Sequence, residues 1–120
     1  MQNKFYLKLR DLMDKYAHDV YAITKNFPKD ELYGVTSQLR RAALSVVLNY
    51  IEGYSRKKKL VMINFFEISY GSLKESKYLL NFSFKEKYME ENEYKKALNI
   101  ADEIGAMLWS VLKNLNKEYV

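Results

Sequence analysis

The sequence predicts an all-α fold, an antiparallel up-down-up-down four-helix bundle, and three observations carry that expectation. Helix breakers are scarce, one proline and four glycines in 120 residues, with Pro28 and Gly34 bracketing one break and Gly53 opening another. In each of four long segments the apolar residues recur in steps of three and four, the spacing that lines one face of a helix. The links between segments, about four to nine residues, cannot return along helices of about 30–40 Å, so consecutive helices are antiparallel neighbours.

The first helix covers roughly residues 4–26, where Phe5, Leu9, Leu12, Met13, Tyr16, Val20, Ile23 and Phe27 hold this spacing. The second starts after Thr36 and Ser37, both N-cap residue types, and carries Leu39, Ala42, Ala43, Val46, Val47, Tyr50, Ile51 and Tyr54, ending near Gly53. In the third, about 58–82, Val61, Phe65, Ile68, Ser72 and Leu79 form one stripe, with Met62, Phe66, Ser69, Leu73, Ser76 and Leu80 beside it. Its serines, together with Gly71, would admit a close neighbour. The fourth, about 90–117, shows a heptad-like seam through Tyr94, Ala97, Leu98, Ala101, Ile104, Met107, Leu108, Val111, Leu112 and Leu115.

A chain of this length fits one domain, residues 1–120, and its 48% apolar and 29% charged residues give an ordinary globular balance. The absence of cysteine excludes disulfides, thiolate nucleophiles and zinc–thiolate sites. No stretch is long and uncharged enough to span a bilayer, so a cytoplasmic location and no membrane partner are expected. The single histidine, His18, has no glutamate three residues before it, which argues against a bundle di-iron site. Arg10 precedes it by eight residues, too far for the arginine–histidine spacing of helical toxin ribonucleases. Glu67 with Glu75 and Asp102 with Glu103 read as surface charge, and no phosphate-binding or nucleophile-elbow motif occurs. No catalytic residue, metal or cofactor is expected.

The net charge of +5 is concentrated: residues 31–60 hold six basic groups against two acidic ones. Arg40, Arg41, Arg56, Lys57, Lys58 and Lys59 are therefore the candidate phosphate contacts, and Tyr54 is a candidate for stacking on an unpaired base. Tyr33 and Tyr50 lie in the same basic quarter, although most of the eleven tyrosines must be packing residues. On a helical wheel of the second helix, Gln38, Arg41, Ser45, Asn49, Glu52 and Arg56 fall within an arc of about 80°. Apolar residues fill about 240° of the remainder, interrupted by Arg40, which is wider than a bundle helix needs for its own core. A homo-oligomer interface would cover the surplus. Glu52 and Arg56 are spaced for an i,i+4 ion pair.

Residues 33–56, YGVTSQLRRAALSVVLNYIEGYSR, resemble the signature of bacterial four-helix-bundle proteins encoded by intervening sequences in large-subunit (23S) ribosomal RNA genes, which reads close to YGLTSQLRRAAxSIPSNIAEGxxR. Phe65 to Glu75 resembles the same family's F-L-x-I-A-x-G-S-L-x-E, and Phe27-Pro28 with Glu31 fits its F-P-x-x-E turn. The resemblance implies a homopentameric ring of four-helix bundles. It also extends to the accessory variability determinant proteins of diversity-generating retroelements, which bind nucleic acid and a reverse transcriptase through a basic surface. The chain departs from the pattern where Val47-Leu48 replaces Pro-Ser and Tyr50-Ile51 replaces Ile-Ala. Losing the proline should straighten the second helix and restore a backbone donor.

The expected function is thus a non-enzymatic homo-oligomeric bundle that binds RNA, DNA or a ribonucleoprotein through a basic surface. The alternative is a scaffold that docks a partner such as a reverse transcriptase without touching nucleic acid. In either case Gln38, Ser45, Asn49 and Glu52 are a polar stripe of structural or functional use.

Overall fold

The computed structural model describes residues 3–117. Its helices are α1 (Lys4–Thr24), α2 (Ser37–Tyr54), α3 (Lys59–Lys85) and α4 (Glu91–Asn116). α1 packs on α2, α2 on α3, α3 on α4, and α4 closes back on α1. Paired contacts fix the directions. Tyr6 at the start of α1 stacks on Tyr54 at the end of α2, while Arg40 near the start of α2 bonds Thr24 at the end of α1. Ser45 meets Ser72 across α2 and α3, and Phe84 stacks on Tyr94 across α3 and α4. Each pair runs antiparallel, as the short links require.

The core is a column of apolar side chains. Leu9, Met13, Tyr16 and Val20 of α1 meet Leu39, Ala43, Val46 and Tyr50 of α2, Phe66, Leu73 and Leu80 of α3, and Ala101, Ile104 and Leu108 of α4. At about 25 cal/mol per Å² of apolar surface removed from water, such a column dominates the stability of the bundle. One buried polar pair interrupts it. Ser76 donates to the Leu73 carbonyl, so the proton in the 2.8 Å contact between Tyr16 and Ser76 comes from the tyrosine.

Several sequence expectations need correction. The inward face of α3 is the second of its two stripes, Phe66, Ser69, Leu73, Ser76 and Leu80, joined by Ile63, Leu79 and Ser83. Val61 and Ile68 are 37% and 43% exposed, because over seven turns a helix of 3.6 residues per turn drifts off a fixed step of seven. Gly71 faces open space. The close approach of α2 to α3 falls instead at Gly53, where a Cβ would lie 2.7 Å from the Phe66 ring. Ser69 and Ser72 do take part: Ser69 donates to the Val46 carbonyl at 2.7 Å, and Ser72 lies 2.7 Å from Ser45.

Neither Thr36 nor Ser37 caps α2. Thr36 is already in helical conformation, its hydroxyl is buried, and it has no hydrogen-bond partner among the described residues. The chain enters α2 through a 3-10 turn at Lys29–Glu31 and one wide turn at Leu32–Thr36. Glu31 organises this entry, accepting from the Val35 amide at 3.3 Å and from the Tyr88 hydroxyl at 2.9 Å. Gly34 leaves the room, since a Cβ there would meet the Glu31 carboxylate oxygen at 2.6 Å. The bond to Glu31 raises the Tyr88 phenol above its ordinary value.

The turn between α3 and α4 closes with Lys87 at φ 65°, its amide bonded to Phe84 O and that of Tyr88 to Ser83 O. This is the left-handed helix ending that glycine usually fills. α4 then opens on reciprocal bonds between Glu90 and Glu93, which satisfy amides its first turn would leave unpaired.

Candidate nucleic-acid interface

The basic residues divide between the two ends of α2. The rise from Arg41 to Tyr54 is about 20 Å at 1.5 Å per residue. Arg40 and Arg41 therefore stand beside the entry turn, while Arg56, Lys57, Lys58 and Lys59 stand at the opposite end, where α2 gives way to α3. The structure does not gather them into one patch.

Their environments differ as well. Arg40 is half-buried: its Nε donates to Thr24 Oγ1 at 2.8 Å, and its guanidinium lies 4.7 Å from the Tyr21 ring centroid. It is a packing residue of the α1–α2 seam. Arg41 is exposed. Arg56 pairs with Glu52 at 2.6 Å, as their spacing predicts, and lies 5.2 Å from the Phe65 ring centroid. With both side chains nearly half exposed, that pair stabilises by only tenths of a kcal/mol. Lys57, Lys58 and Lys59 are exposed.

The position of these lysines carries chemical meaning. Lys58 occupies the N-cap of α3 with no side-chain cap bond, and the first turn of α3 holds no acidic residue. A helix N-terminus presents unpaired amides and a partial positive charge, so cations there are unfavourable by about 0.3–1 kcal/mol each. The same amides and cations together suit a phosphate.

The tyrosines are mostly committed to packing. Tyr54 lies 3.6 Å, centroid to centroid, from Tyr6, so the candidate stacking residue already has a partner on one face. Tyr50 is buried between Tyr6 and Phe66, and burial with its tyrosine neighbours raises its phenol well above the ordinary range. Tyr33 is 91% exposed in the entry turn.

The polar stripe splits by depth. Asn49 Nδ2 donates to the Ser45 carbonyl and hydroxyl, both at 2.9 Å, and Ser45 meets Ser72, so these two polar residues knit α2 to α3. Gln38 and Arg41 at the outer end of the stripe are exposed, and Glu52 is engaged by Arg56. On the side of α2 away from the core, Leu44, Leu48 and Ile51 are exposed at i, i+4 and i+7. This is the surplus apolar arc expected from the wheel.

His18 is exposed and lies 3.4 Å from Asp14 Oδ1. Among the described residues no group of three or more His, Cys, Asp or Glu side chains could hold a metal ion. No helix of the described residues is long and apolar enough to cross a membrane.

Sequence reasoning passed over Trp109, which is 56% exposed and 5.9 Å from Tyr70 between α3 and α4. The signal was present: this residue falls outside the apolar seam of the fourth helix.

Comparison with known proteins agrees with this architecture. No curated protein matches the chain. A crystal structure of a protein of unknown function from the S23 ribosomal protein family of Bacteroides thetaiotaomicron is similar in fold, with a TM-score of 0.80 at 22% identity. The similarity covers 88% of this chain and 98% of that one. The family model described as 23S rRNA-intervening sequence protein matches residues 6–110. With four antiparallel helices and that match across most of its length, the chain belongs to the 23S rRNA-intervening sequence protein family.

Proposed function

We propose that this protein is a non-enzymatic, homo-oligomeric bundle that binds structured RNA or a ribonucleoprotein through a basic surface, working as one domain in the cytoplasm. The observation that carries the reading is the exposed run Arg56, Lys57, Lys58 and Lys59, set at a helix N-terminus whose first turn contains no acidic residue. Folding alone disfavours cations there, whereas a phosphate backbone is attracted to them. Arg41 adds a second exposed cation at the other end of α2. The exposed stripe Leu44, Leu48 and Ile51 supports self-association, and a pentameric ring follows from the family resemblance. A filter-binding titration of structured RNA across a salt series tests the electrostatic part. Affinity should fall steeply with salt, and no binding at low salt, or binding indifferent to salt, would reject it.

A second reading is favoured by the same apolar stripe. Leu44, Leu48 and Ile51 would dock a protein partner, such as a reverse transcriptase, and the basic residues would meet its acidic side chains. Capture of that partner by the purified protein after nuclease digestion would favour this reading over RNA binding.

A further inference from the structure

We propose that the groove between α3 and α4 around Tyr70 and Trp109 binds an unpaired nucleotide of single-stranded RNA. The site rests on the RNA-binding reading but uses none of the residues at the α2–α3 turn. The juxtaposition that carries it is a ladder of aromatic and cationic side chains on each wall. On α3, Lys74 follows Tyr70 by one turn and lies 5.3 Å from its ring centroid. On α4, Lys113 follows Trp109 by one turn, and Lys117 follows Lys113. Residues four apart on a helix share a face, and Trp109, Lys113 and Lys117 line the same hollow.

The two rings face each other with centroids 5.9 Å apart and planes inclined at 38°. They separate two hollows. One, of about 700 Å³, is lined by Glu67, Gly71, Leu112 and Lys113 as well as the rings. The other, of about 500 Å³, lies toward Lys74, Lys77 and Gly105. Volumes in this range accept a small ligand. The floor is low because Gly71 has no atom within 4 Å of where a Cβ would stand, and Gly105 has only Leu73 beside it.

Charge selects the occupant. Among the described residues Lys74, Lys113 and Lys117 make no ion pair, while Lys77 is neutralised by Asp102 at 2.6 Å. Glu67 is the one carboxylate of the larger hollow. An apolar peptide would make no use of the three remaining cations. A nucleotide uses every part: the base stacks on Trp109, its phosphate meets Lys74 or Lys113, and a base N–H donates to Glu67. A duplex offers no free base face, which restricts the site to single strands.

Trp109 is the only tryptophan of the chain, so its emission reports this groove alone. The test titrates the full chain with a uridine decamer and with an abasic ribose-phosphate decamer, following Trp109 emission and, separately, the anisotropy of labelled RNA. Saturable quenching is expected from the uridine oligomer and little from the abasic one. Lys113→Gln should weaken decamer binding several-fold and Trp109→Leu about tenfold or more, with Trp109→Phe recovering most of it. Because Trp109 is exposed, these variants should keep the wild-type helical signal.

Equal quenching by the abasic strand overturns the proposal. So does emission that changes with protein concentration and ignores RNA, which would place a second subunit in the groove. Binding of the decamer and of structured RNA by anisotropy, with Trp109 emission unchanged, overturns the groove and leaves the basic-turn reading intact. Failure of both RNAs to bind removes both readings.

Discussion

Arg40 reaches back across the α1–α2 seam to Thr24, donating from Nε over 2.8 Å. The Thr24 hydroxyl donates in turn to the Val20 carbonyl at 2.7 Å, so the arginine completes a short polar chain at the edge of the core. Two adjacent arginines, identical in sequence character, therefore have different occupations: Arg40 holds two helices together and Arg41 faces solvent.

Separate stability and binding measurements should divide them. Arg40→Ala loses a hydrogen bond and a contact with the Tyr21 ring, and is expected to destabilise by about 1–2 kcal/mol in chemical denaturation. Arg41→Ala should stay within about 0.5 kcal/mol of wild type, while weakening RNA binding and lowering the salt slope by about one. If Arg41→Ala leaves RNA affinity unchanged, that end of α2 does not meet phosphate.

Lys58→Asp should move stability and binding in opposite directions. Aspartate is a good N-cap and complements the partial charge of the α3 terminus, so the variant is expected to gain about 1 kcal/mol and a higher Tm. RNA affinity should fall at the same time. A stability gain without loss of binding would mean that the lysine run serves neither folding nor RNA.

Leu48, 59% exposed, lies mid-stripe between Leu44 and Ile51. Leu48→Asp should leave the far-ultraviolet helical signal intact and convert an oligomer to monomer in sedimentation velocity. A wild-type protein that sediments as a monomer at micromolar concentration would dispose of the interface.

Alkaline pH should unfold the bundle through Tyr16. Burial pushes its phenol up from 10.0 to about 12, so between those values the unfolded chain releases a proton that the folded chain retains. Stability is then complete below pH 10 and falls as pH rises towards 12, by about 2–3 kcal/mol from this group. Tyr50, raised for the same reason, adds to the decline. Tyr16→Phe leaves Ser76 bonded to Leu73 O, and should flatten the pH profile at a cost of about 1 kcal/mol near neutrality.

How much of this was legible depended on what the chemistry constrains locally. Helix number, order and antiparallel pairing followed from the spacing of residues such as Leu9, Met13, Tyr16 and Val20, since steps of three and four admit one burial direction. The α2–α3 contact was half legible. Its serines announced a close approach, but Gly71, expected beside them, is turned to open space by the rotation of α3 about its axis, which two adjacent apolar stripes left unresolved, and Gly53 of α2 takes that place against Phe66. The entry to α2 was hidden because Glu31 reaches both forward to Val35 and across the bundle to Tyr88, a tertiary bond that local capping rules do not contain. The structure leaves Arg41, Arg56, Lys57, Lys58 and Lys59 exposed and Arg40 half-buried. The pairing of Arg56 with Glu52 was foreseen from their spacing. The grouping of the basic residues was not, because sequence distance along one helix is also physical distance.

That last point sets a minimum size for whatever spans the molecule. Arg41 and Tyr54, the last residue of α2, are about 20 Å apart along a rod that cannot shorten, with Lys57 and Lys58 just past its end, and the phosphates of each duplex strand advance about 3.4 Å along the axis. Duplexes shorter than about six base pairs lie along one end of α2 or the other rather than both. Affinity plotted against oligomer length should therefore rise in a step rather than a slope, and the height of that step measures how rigidly α2 keeps its two ends in register.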